Sequence, residues 1–181
     1  MDFNRIIERF TGAVRVLNGT IRLDEMVKIS GEWDVVVTRA NGAIERKTLH
    51  NIVVSQGLNR LANRAISATV GTPWYILGVG TISAAASLDS VNFGEVANGR
   101  KAAATVVQSS EWFALTMTWA GNADALTGIV LESAAILCHA NSGIGAVCNI
   151  VNGLSTTLAA SDFLNLTARV RIGSHNLAHS T

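Results

Sequence analysis

Charge is scarce in this 181-residue chain: Asp, Glu, Lys and Arg make up 15% of it, hydrophobic residues make up 49%, and the mean hydropathy is +0.33. A typical soluble domain is about 25% charged. So few charges leave an isolated monomer poorly covered, and the surface is expected to meet either lipid or protein. No stretch approaches the ~18 apolar residues of a membrane-spanning helix. The longest apolar-looking region, 129–148, is broken by Glu132, His139, Asn141 and Ser142. Aromatic residues are 6% of the chain, too few for the girdles of a membrane barrel. Subunit packing is the better account, and no membrane partner is expected. The net charge is +1 with no basic run, so no nucleic-acid partner is expected either. Met1-Asp2-Phe3 does not begin a basic and then apolar leader, and no secretory signal is inferred. Two cysteines are too few for a disulfide framework, and a single proline, Pro73, leaves most of the chain free to form strands.

Periodicity supplies the positive signals. Phe3, Ile6, Ile7 and Phe10 stand at i, i+3, i+4 and i+7 between a capping Asp2 and a terminating Gly12. This spacing predicts a short amphipathic helix that needs a surface to lie on. The period then becomes two. Asn-Gly steps at 18–19, 41–42, 98–99 and 152–153 punctuate the alternating runs. Because Asn-Gly favours the type I′ turn, they are expected to mark hairpins. One helix is expected to interrupt the strands, capped by Ser55, with Leu58, Leu61, Ala62, Ala65 and Ile66 on its apolar face. Residues 81–99 read as a long loop of small side chains, and 101–108 as one strand.

The C-terminal half alternates most regularly. Phe113, Leu115, Met117 and Trp119 share one face, and Leu164, Leu166, Ala168, Val170 and Ile172 share another. Eight to ten strands are expected in a mostly β fold, an antiparallel β-sandwich or jelly roll with one internal helix. Residues 1–30 read as a docking arm of short helix plus hairpin, 31–173 as the body, and 174–181 as a polar tail.

A search for chemistry returns little. The histidines His50, His139, His175 and His179 have no metal-binding spacing beyond the i, i+4 pair in the polar tail. Gly78-Val79-Gly80 begins a dinucleotide fingerprint but is not completed, and a glycine-punctuated strand end is the better reading. Glu95, Glu111, Asp124, Glu132 and Asp162 are scattered, as turn and rim acids are. Cys138 and Cys148 lie symmetrically about Gly143, so a symmetric hairpin would bring them face to face. Buried thiols are the alternative, favoured in a reducing cytoplasm. Trp119 falls in phase with the core, whereas Trp112 falls on the opposite face and suits an interface. Trp74 suits either. No cofactor, metal or catalytic residue is called for, and the chain reads as non-enzymatic. The interface candidates are Phe3, Ile6, Ile7, Phe10, Trp74 and Trp112.

One ordered set of motifs looks familiar. It runs through Asn51-Ile52-Val53, Gly57-Leu58-Asn59-Arg60-Leu61, Gly78-Val79-Gly80-Thr81, Ser87-Leu88-Asp89, Glu95 and Arg100. It continues in Gly128-Ile129-Val130-Leu131-Glu132 and the alternating strand 164–172. The order resembles small virion proteins of tailed bacteriophages, across about residues 42–172. Asn92-Phe93-Gly94 and Ala97-Asn98-Gly99 depart from the usual loop. The resemblance implies a capsid cement or decoration protein, or a tail, baseplate or fibre-adaptor part. Its partners would be the capsid protein or copies of itself in a homo-oligomer, and its place a virion assembled in the host cytoplasm. It implies no catalytic residues. A carbohydrate-binding, lectin-like module or a hydrolase is the rival from another class. It requires a cleft with clustered aromatics or paired carboxylates.

Overall fold

The computed structural model describes residues 14–16, 19–21, 28–58, 76–85, 87, 92–109, 112–139 and 147–173. Two short strands, β1 (Val14–Val16) and β2 (Gly19–Ile21), form an antiparallel hairpin of their own. Nine more build the body: β3 (Lys28–Thr38), β4 (Ile44–Val53), β5 (Ile76–Gly80), β6 (Glu95–Ala102), β7 (Thr105–Gln108), β8 (Trp112–Ala120), β9 (Val130–Leu137), β10 (Val147–Thr157) and β11 (Phe163–Gly173). Their order is β6-β5-β9-β10-β4-β3-β11-β8-β7, and every pairing between them is antiparallel.

The β10–β4 joint has only two register pairs, Asn149↔Val53 and Ile150↔Ile52. There the strands divide into two sheets that pack as a β-sandwich, one of four strands ending at β10 and one of five beginning at β4. The alternation determines what lies between them. Leu166 stands opposite both Val35 and Met117, and Ala168 opposite Trp33 and Leu115. Trp33, Leu115, Leu166 and Ala168 are fully buried, together with Leu131, Ala134 and Val151 from the other sheet. Each fully buried leucine of this kind contributes about 1.5–3 kcal/mol. Two indoles stitch the sheets. Trp33 Nε1 donates to Asn149 Oδ1 at 3.1 Å, and Trp119 Nε1 donates to the Gly99 carbonyl at 3.0 Å.

The outer face of the four-stranded sheet is covered too. Ile76, Ala135, Leu137, Val147 and Ile150 pack with Val54 and Phe93 in a second apolar cluster. This explains why every residue of β5 is buried: its two faces belong to different cores. Gly78-Val79-Gly80 is therefore the end of a strand, packed against Phe93.

Several sequence expectations are corrected. Asn41-Gly42 does close the β3–β4 hairpin, but through a longer loop in which Arg39 N donates to the Ala43 carbonyl and Gly42 alone takes a positive φ of 84°. In the first hairpin Gly19 is already paired with Val16 and belongs to β2, and Asn18 lies outside the described residues. Asn98-Gly99 and Asn152-Gly153 reverse nothing, since they form bulges inside β6 and β10. The stretch 101–108 is two strands, because β6 ends at Ala102 and β7 starts at Thr105 on the edge of the other sheet. The expected loop ends earlier than residue 99, where Thr81 N donates to the Gly94 carbonyl and β6 begins at Glu95. The helical turn at 55–58 takes its first hydrogen bond from Leu58 N to the Val54 carbonyl, so Val54 occupies the capping position and Ser55 the first turn. The remainder of that expected helix lies outside the described residues. A boundary at residue 30 would cut β3, which starts at Lys28. Cys138 and Cys148 are both buried thiols. Leu137 pairs with Val147 and Ile136 with Asn149, which leaves Cys148 as the bulged residue and breaks the symmetry that would have set the two sulfurs face to face.

Candidate functional site

Of the six interface candidates, Trp112 alone is described; Phe3, Ile6, Ile7, Phe10 and Trp74 lie outside the described residues. Trp112 opens β8 half-buried, on the outer face of the five-stranded sheet, as its phase opposite Leu115 and Trp119 requires. The ladder register extends that outer face into rows. Trp112 pairs with Arg171, which pairs with Ser30. In the next row Ala114 pairs with Arg169, Arg169 with Glu32, and Glu32 with His50. Beyond these come Thr116, Thr167, Asp34 and Thr48.

The first two rows form a cleft of about 550 Å³, lined by Trp112, Arg171, Arg169, Glu32, Ser30 and His50 among others. Arg169 is its organising group. Its Nη1 donates to Glu32 Oε1 at 3.2 Å and also to Asp34 Oδ2. Asp34 in turn accepts from Thr48 Oγ1 at 3.1 Å. The third row is itself tied, with Thr116 Oγ1 and Thr167 Oγ1 3.0 Å apart. The guanidinium is held by carboxylates from the neighbouring strand, so Arg169, Glu32 and Asp34 are positioned relative to one another beside the row of Trp112.

The far end of the same face is apolar. Ile44 is 53% exposed and Phe163 is 49% exposed, in one row through Thr38. On the edge strand β7, Val106 and Val107 are 58% and 46% exposed.

The acidic residues singled out from the sequence serve the framework. Glu95 makes a two-pronged ion pair with Arg100, at 2.7 and 2.6 Å, and Arg100 also donates to the His139 carbonyl at 2.8 Å. Asp124 pairs with Lys101 at 2.6 Å. Glu132 accepts from Ser155 Oγ at 2.8 Å. Asp162 accepts from the Ala159 and Ala40 amides and from Arg39, which together hold its carboxyl below the usual range. Glu111 lies outside the described residues, as do His175 and His179. Among the described residues no three His, Cys, Asp or Glu side chains gather as a metal site, and no helix is long and apolar enough to cross a membrane.

Sequence reasoning did not single out Glu32, Asp34, Arg169 or Arg171, and it considered His50 only for metal spacing. The period-two phase places Glu32 with Asp34, and Arg169 with Arg171, on one face of their strands. The pairing of Arg169 with Glu32 spans 137 positions and has no local signal. Compared with protein-family models, with curated proteins and with solved structures, the chain has no match.

Proposed function

We propose that this chain is a non-enzymatic structural protein that works by assembling with copies of itself and with a larger partner, and that it is a capsid cement or decoration protein of a tailed-phage particle. The observation that carries the assembly reading is the exposed apolar surface of a charge-poor chain. Val106 and Val107 on an uncharged edge strand, and Ile44 and Phe163 on a sheet face, meet solvent in the isolated chain. Such surface is what a subunit seam covers, and stable seams of this kind bury about 2,000 Å² or more. The phage context rests on the ordered motifs between residues 42 and 172. Several of them are framework elements here: Asn51-Ile52-Val53 ends β4, Glu95 and Arg100 pair across a bulge, and Glu132 stands at the β10 bulge. A tail, baseplate or fibre-adaptor location in the same particle is the second form of this reading, and it shares the same support.

Mapping the chain in its native particle by cryo-electron microscopy tests both forms. Cement predicts many copies over the capsid exterior, and an adaptor predicts a few at one vertex or along the tail. Absence of the chain from purified particles overturns both. Deleting residues 1–27, which leaves β3 whole, is expected to abolish particle binding while the body still unfolds cooperatively. Decoration undiminished by that deletion removes the docking-arm role.

A further inference from the structure

We infer that the cleft beside Trp112 is a binding site for a neutral pyranose sugar. The proposal does not rest on the virion reading: it gives Trp112 a ligand in place of a subunit contact and requires no assembly.

The geometry supplies what such a ligand needs. A pyranose ring has a face of C–H bonds and an equator of hydroxyls, each both donor and acceptor. Trp112, half-buried on the outer face of β8, offers an indole against which a C–H face packs. Its row continues directly into Arg171 and Ser30, and the adjacent row presents Arg169, Glu32 and His50. A volume of about 550 Å³ is within the range of small-molecule sites and accommodates one or two sugar rings.

The polar groups are complementary to a vicinal diol in particular. The bonds Arg169 makes to Glu32 and Asp34 both use Nη1. Among the described residues nothing else bonds Nε or Nη2 of this guanidinium or Oε2 of Glu32, so the first two are open to donate and the last to accept. A carboxylate and a guanidinium fixed side by side give adjacent acceptor and donor sites, which two neighbouring hydroxyls satisfy together. The clasp exists before the ligand arrives, so little ordering entropy is lost on binding. The same group of charges gives an anion no net attraction, since Arg169 and Arg171 stand against Glu32 and Asp34. The charge of Arg169 is matched by two carboxylates, and a phosphate or carboxylate ligand would face Glu32 and Asp34 as well as the arginines.

The test uses the full chain with ligand-observed NMR and a panel of glucose, galactose, N-acetylglucosamine and lactose, with sodium glucuronate as the charged comparison. Saturable binding of a neutral sugar is expected, with Kd on the order of 1 mM for a single ring. Trp112→Ala is expected to weaken it about tenfold or more. Glu32→Gln keeps the shape of the clasp and removes its charge-assisted acceptor, and is also expected to weaken binding. It keeps the proposal testable should Trp112→Ala fail to fold. No saturable binding of any neutral sugar, binding unchanged in both variants, or binding of glucuronate alone with Glu32→Gln tightening it, overturns the proposal.

Discussion

Asp162 shows how much one side chain can organise without doing chemistry. It lies in the turn between β10 and β11, with its side chain 4% exposed. It accepts from Ala159 N at 3.0 Å, Ala40 N at 2.9 Å and Arg39 Nη1 at 2.9 Å. Arg39 also grips Glu45 at 2.7 and 3.0 Å and the Thr157 carbonyl at 2.7 Å. The β3–β4 and β10–β11 turns are thereby locked together. The Ala159 amide first, then Arg39 and the Ala40 amide, hold the Asp162 carboxyl below its ordinary 3.8, and Arg39 holds Glu45 below its ordinary 4.5. A carboxyl whose folded pKa is depressed adds stability above its unfolded value, and that stability is lost as pH falls through the folded one. The urea midpoint is therefore expected to hold from neutral pH down to about 5 and to fall below about 4. Asp162→Asn is expected to lower the midpoint at pH 7 and flatten the acid limb; an unaltered acid limb contradicts the assignment. Trp119 offers a second residue-scale test. It is fully buried and donates to the Gly99 carbonyl, so Trp119→Phe removes both volume and a buried donor. A loss of about 1–3 kcal/mol in urea denaturation is expected. The core role of Trp119 was legible, because it needs only the phase of β8. The role of Asp162 was not: its partner Arg39 is 123 positions away, and nothing local separates a locking aspartate from a rim one.

At the scale of the element, the four Asn-Gly steps divide evenly. Two sit at or beside hairpins and two form bulges. The dipeptide reports that the chain can take positive φ, and that much is visible in sequence. Whether the chain reverses or only kinks depends on which strand lies alongside, and that is tertiary information. The β10 bulge makes the point. Gly153 has φ 90° and Ser155 has φ 42°, yet the strand continues to Thr157 because β9 runs beside it on both sides of the kink. Lys47, from β4, secures it by donating to the carbonyls of Gly153 and Leu154. Burial pushes its ammonium below the ordinary lysine value, so those two carbonyls offset a desolvation cost. Lys47→Met is expected to cost about 1 kcal/mol by removing their donor. Gly153→Ala is expected to cost about 1–2 kcal/mol through the left-handed backbone. Urea denaturation reads both, and a neutral Lys47→Met would mean that the bulge stands without its clamp.

For the whole molecule, the class of fold followed from alternation and turn chemistry, whereas the division into two sheets did not. The sandwich turns on a joint of two residue pairs between β10 and β4, and on Ala102, Ala103 and Ala104 leading the chain from one sheet edge to another. No periodicity encodes either. The consequence for assembly lies at β7, where Thr105-Val106-Val107-Gln108 carries no charge and all four residues are exposed. Edge strands are ordinarily guarded by lysine, proline or a bulge, because their open amides and carbonyls template further pairing. If the proposed self-association uses this edge, two copies meet antiparallel about a two-fold axis. Residues facing one another must then share a sheet face. One residue then stands opposite its own copy, and the ladder is longest, with three of the four β7 residues paired, when that residue is Val106 or Val107. Replacing both valines with lysine places like charges across the axis in either register. The double variant is expected to elute as a smaller species than the native chain in size-exclusion chromatography with light scattering, with an unchanged urea midpoint because neither valine is buried. An unchanged mass would move the seam away from β7, and the row of Ile44 and Phe163 would be the next surface to charge.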